Sequence, residues 1–167
     1  MKKVFLFVAT AMLLSSCGAL TGTPSSSNQA SGNTATAAAV QTNPSAQGQA
    51  AGSALKSLYS QYKADGKYDA GNMNNIINTL TLVNNCQGLK TNVKDSEFWK
   101  SFAGGLILGS DMLVNTSNVD QITNGLQTMV NSVDASKLQA AVSNAGTAVS
   151  NVSSAASSIS SILSMFK

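Results

Sequence analysis

From Leu138 to Phe166 the apolar residues recur at alternating intervals of four and three: Leu138, Val142, Ala145, Val149, Val152, Ala156, Ile159, Leu163 and Phe166. On an α-helix this spacing lines a single face; on a strand it would scatter over both sides. Ala141, Ala148, Ala155 and Ile162 widen the stripe, giving the broad apolar face of a bundle helix or coiled coil. The opposite face is serine, asparagine, glutamine and threonine, and no charged residue stands between Lys137 and Lys167. A solvated coiled coil carries charges beside its seam, and serine forms helix weakly. The segment therefore needs other helices to pack against. Its periodicity predicts one unbroken helix over 138–166, about 43 Å long at the helical rise, acting as the spine of a bundle.

The partners lie upstream. Ala51, Leu55, Leu58, Tyr59 and Tyr62 sit at helical spacing, and Gly66 suits a left-handed stop. This predicts a first helix from about residue 50. Met73, Ile76, Ile77, Leu80 and Val83 form a second stripe, with Asp69 as N-cap, a Tyr68–Met73 staple, and Asn84, Asn85 and Gly88 closing it. Residues 89–95 read as a loop. Asp95 or Ser96 caps a third helix carrying Phe98, Trp99, Phe102, Leu106, Leu113 and Val114. Gly104, Gly105 and Gly109 weaken that helix by about 1 kcal/mol each, but small residues there permit close approach of a neighbour. Ser117-Asn118-Val119-Asp120 resembles a capping box and opens a fourth helix with Val119, Ile122, Leu126, Met129 and Val133 on one face. Asp134 caps the fifth, with Val133 and Leu138 in the staple positions. No strand alternation competes. The predicted fold class is all-α, a small bundle of about five helices over residues 50–167, large enough for one core.

What precedes the bundle is different in kind. Residues 18–49 hold both prolines, Pro24 and Pro44, and no charge. Their apolar residues are mostly alanine, too little surface to offset the entropy of ordering, and the stretch reads as a disordered linker. Before it, Met1-Lys2-Lys3 and the apolar run from Val4 to Leu14, broken only by Thr10, have the layout of a signal peptide. The run is too short for a membrane span. Leu14-Ser15-Ser16-Cys17 then resembles the lipobox of bacterial lipoproteins of the Gram-negative envelope type. The resemblance covers residues 1 to about 22. It implies a signal peptide over 1–16, cleavage before Cys17, and lipid attachment at Cys17 through diacylglycerol and fatty acyl chains such as palmitate. Several chains anchor a protein stably, where one does so marginally. In that family aspartate after the cysteine favours inner-membrane retention. Gly18 stands here, which implies the outer membrane. The acidic patch marking surface export in some of these lipoproteins is missing, which implies the periplasmic leaflet. The predicted layout is signal peptide 1–16, lipidated Cys17 and linker 17–49, and helical domain 50–167.

Composition narrows the chemistry. There is no histidine and no arginine, so the commonest general base and metal ligand is missing, as are the arginine forks of nucleic-acid surfaces. Without Lys2 and Lys3, eight lysines face seven carboxylates. No nucleic-acid partner, cofactor or metal is expected. The carboxylates Asp65, Asp69, Asp95, Glu97, Asp111, Asp120 and Asp134 are scattered, and the close pair Asp95 and Glu97 does not share a helix face. No nucleophile or phosphate-loop motif occurs, so no catalytic residues are expected. Cys86 is left without a partner if Cys17 is acylated. It reads as a buried small hydrophobe, with an intermolecular disulfide as the alternative. The expected function is a structural or protein-interaction role in the envelope, with membrane contact through the lipid and envelope proteins as partners. The alternative is a bundle enclosing an apolar ligand beside Phe98, Trp99 and Phe102.

Overall fold

The computed structural model describes residues 40–143 and 148–166, of which 148–151 by backbone alone. Those residues are all-helical, as the periodicity predicts. They form α1 (Pro44–Asp65), α2 (Met73–Cys86), α3 (Gly88–Thr91), α4 (Ser96–Gly109), α5 (Val119–Ser132), α6 (Ala135–Ser143) and α7 (Ala148–Ser164).

Helix α1 begins at Pro44, earlier than the boundary near residue 50. The Asn43 side chain accepts from the Ala46 amide at 2.7 Å, and Pro44 takes the first helical position. Proline is favoured there because its missing N–H would find no helical partner. The Asn-Pro pair that reads as linker punctuation is thus a helix start. At the far end Gly66 is left-handed, φ 71°, and its N–H donates to the Tyr62 carbonyl. This is the stop that the sequence indicates.

The densest packing joins α1 to α4. Gly48 and Gly52 of α1 face Gly105 and Gly109 of α4, each pair spaced by four. A Cβ on Gly48 would overlap the Phe102 carbonyl oxygen, and one on Gly105 the carbonyl of Ser45; Gly109 stands in the same way against Gln49. A hydrogen occupies each of these places, so the two backbones meet through Cα–H groups directed at carbonyls. Partner numbers rise together along the seam, from Ser45 beside Gly105 to Lys56 beside Asp111. The two helices therefore run parallel. Ser53 Oγ donates to the Gly109 carbonyl at 3.2 Å and adds a polar stitch.

Two caps differ from expectation. Helix α2 is capped by Asn72, which accepts from the Asn74 amide at 2.9 Å; Asp69 instead turns the preceding loop by accepting from Gly71. The staple drawn on Asp69 therefore has no basis. At α5 the expected box does not form: Asn118 accepts from the Asn115 amide and makes no cap bond. Asp95 does cap α4, accepting from the Glu97 and Phe98 amides at 3.0 Å. Asp134 accepts from Ser136 ahead of α6. Residues 89–95 are not simply a loop, because α3 occupies their start and buries Leu89. Helix α4 ends at Gly109, short of Leu113 and Val114, and Asp111 and Met112 follow with φ of 51° and 69°.

The predicted spine is two helices. Helices α6 and α7 pack against each other, which the end-to-end halves of one straight rod cannot do. Residues 144–147, including Ala145, lie outside the described residues, as does the side chain of Val149. The apolar spacing alone carried the predicted helix across them. The stripe nonetheless faces inward on both pieces: Leu138 and Ala141 on α6, and Val152, Ala155, Ile159, Ile162 and Leu163 on α7, are buried. Helix α7 runs antiparallel to α5, with Gly125 near Ile162 and Ser132 near Ser158. Tyr59 ties its end to α1, donating to the Phe166 carbonyl at 3.1 Å with the two rings edge to face.

Candidate functional site

Cys17, the residue that carries the predicted chemistry, lies outside the described residues, as do the predicted signal peptide and the predicted linker up to residue 39. The described residues show what such an anchor would hold, and how the chain enters the domain.

Entry is at Val40 and Gln41. The Gln41 amide donates to Asn85 Oδ1 at 3.1 Å, and Gln47 Nε2 donates to the Gln41 carbonyl at 2.9 Å. Asn85 is fully buried and donates in turn to the Thr81 carbonyl at 2.9 Å. A buried amide with both ends satisfied fixes geometry, because losing either partner leaves a polar group in the core. Asn85, expected only to end α2, therefore clamps the entering strand of chain. Gly88 lies against the Phe98 ring and the Gln47 side chain, so α3 and the start of α4 belong to the same end of the domain. Gln127 Nε2 donates to the Leu89 carbonyl at 3.2 Å and ties that end to α5.

Cys86 closes α2 in the core with no exposed surface, and burial pushes its thiol well above the ordinary range. The thiolate is the reactive form, so this cysteine packs as a small hydrophobe. The aromatic residues of α4 also pack inward. Phe102 is fully buried and stacks on Phe98, ring centres 6.0 Å apart. Trp99 is half-buried and donates its indole N–H to the Asn92 carbonyl at 2.9 Å. The clefts beside Tyr59 and Tyr62, beside Lys90 and Asp134, and along Ala50 and Ser53 are lined by none of these three aromatics.

The carboxylates do not converge. Asp69, Asp95 and Asp134 serve turns and caps. Glu97 pairs with Lys100 at 3.1 Å, and Asp111 with Lys56 at 2.7 Å, both on the surface. The hydrogen bond and charge of Lys56 hold the Asp111 carboxyl below the usual range. Asp65 and Asp120 are exposed. Among the described residues no three of Cys, Asp and Glu come together in a way that could hold a metal ion. No helix there is long and apolar enough to cross a membrane.

No family model, curated protein or solved structure matches the chain. The sequence reading anticipated a close helix approach at the α4 glycines, which Gly105 and Gly109 bear out, but not Gly48 and Gly52 as the facing pair, and it missed the Asn85 clamp. The seam was visible as a four-residue glycine spacing in both helices. The clamp had no local signal, because its two partners are 44 positions apart.

Proposed function

We propose that this chain is a lipid-anchored protein of the cell envelope, attached at Cys17 to the outer membrane and facing the periplasm, with a structural or protein-interaction role rather than a catalytic one. The observation that carries the reading is Leu14-Ser15-Ser16-Cys17, set behind Lys2, Lys3 and an apolar run of signal-peptide length. The uncharged stretch from Gly18 supports a linker role, with the folded domain starting at the Asn43 cap. Metabolic labelling with fatty acid tests the proposal. Label is expected in the wild-type chain, and Cys17→Ala is expected to lose both label and membrane association. Persistent labelling of Cys17→Ala contradicts it.

A further inference from the structure

Of the six methionines, Met73, Met112, Met129 and Met165 lie among the described residues. Met129 is fully buried in α5, Met73 is half-buried at the start of α2, and Met165, just past α7, is 38% exposed. Met112 is 84% exposed, the most of any large apolar side chain among the described residues.

The turn after α4 holds it there. Asp111 and Met112 both take the left-handed backbone, φ 51° and 69°, which costs an ordinary residue about 1 kcal/mol or more. On one side stands Ser110, fully buried. Its amide donates to the Leu106 carbonyl at 3.0 Å, and its hydroxyl donates to the Ile107 carbonyl at 3.1 Å. On the other side Val114, also fully buried, donates its amide to Ser110 Oγ at 3.0 Å. Asp111 itself is paired with Lys56 of α1 at 2.7 Å. The backbone at Met112 is thus pinned on both sides with its side chain outward. The other sulfur among the described residues, that of Cys86, has no exposed surface.

We propose that Met112 is a modification site of the domain, the thioether at which a peroxide reacts first, and that the domain carries the resulting sulfoxide without unfolding. A sulfur lone pair attacks one peroxide oxygen, the O–O bond breaks and an S–O bond forms. The proton on the transferred oxygen passes to the departing hydroxide, which leaves as water. Sulfur is oxidised by two electrons and the peroxide is reduced by two. Reaction follows exposure, and the product is a polar group where an apolar one stood. On Met129 that group would sit unpaired in the core. On Met112 it meets water. The proposal is independent of the Cys17 anchor.

The test treats full-length protein with hydrogen peroxide and follows the methionine peptides by mass spectrometry. Sulfoxide is expected at Met112 at least about twofold faster than at Met165 and on the order of tenfold faster than at Met129. Protein oxidised at Met112 alone is expected to melt like the untreated chain. Met112→Leu is expected to melt like the wild type and to leave the rates at Met73, Met129 and Met165 unchanged. Sulfoxide forming at any of those three as fast as at Met112, or a lower melt once Met112 alone is oxidised, overturns the proposal.

Discussion

Adjacent glycines in α4 behave oppositely. Gly105 meets the Ser45 carbonyl, whereas a Cβ on Gly104 would have nothing within 4 Å. Gly105→Ala forces the two backbones apart, a change of the overpacking kind that costs about 1–3 kcal/mol. Gly104→Ala only trades a poor helix former for the best one, so it is expected to stabilise by up to about 1 kcal/mol. Thermal melts of the two single variants check the pair, and equal shifts would contradict the seam. Cys86 supplies a pH prediction. Burial keeps its thiol protonated in the fold, while in the unfolded chain it ionises near pH 8.5. The unfolded state then binds fewer protons, so stability is complete below that pH and declines as pH rises above it. Tyr68, held up chiefly by burial despite its bond to Thr79, adds the same trend further up the scale. Denaturant melts between pH 7.5 and 10 are expected to show the decline, and Cys86→Ala to flatten its lower part.

Among the elements, α7 tests the core. Ile159 is fully buried and Ser157 is exposed on the same helix. Ile159→Ala is expected to cost about 2–5 kcal/mol, a large share of the 5–15 kcal/mol typical of a domain. Ser157→Ala is expected to change the melt little. The asymmetry is measurable by urea unfolding. It is also where the sequence was most legible: helix type and inward face follow from spacing, and Val152, Ile159 and Leu163 of the predicted stripe are buried. The N-cap at Asp95 and the stop at Gly66 were equally readable, because side chain and backbone lie within a few residues of each other. What escaped was set by tertiary contact or by competing local signals. Asp69 was read as the α2 cap, but Asn72, directly before Met73, takes that place. Periodicity alone carried the predicted helix across residues 144–147. In the candidate site, Cys17 was legible as a motif, and the burial of Cys86 was favoured because free cysteine often packs as a small hydrophobe.

For the whole molecule, the account joins an anchor, a linker and a helical domain whose chain entry is clamped. Helix α1 starts at the Asn43 cap, and the composition of residues 18–39 predicts a linker ahead of it. Limited proteolysis is expected to cut between Gly18 and Val40 and to leave a core beginning close to that point. Protection of residues 25–38 at low protease would contradict the division. Asn85→Ala removes the clamp and leaves the Gln41 amide without its buried acceptor. It is expected to cost about 1–3 kcal/mol and to move the first cuts into the start of α1. The most direct test of the central claim is the intact mass of the protein purified from detergent-solubilised envelopes. The account predicts a chain beginning at Cys17 and heavier than its amino-acid mass by a diacylglycerol and a further acyl group. A chain retaining residues 1–16, or one cut elsewhere and carrying no lipid, would contradict it.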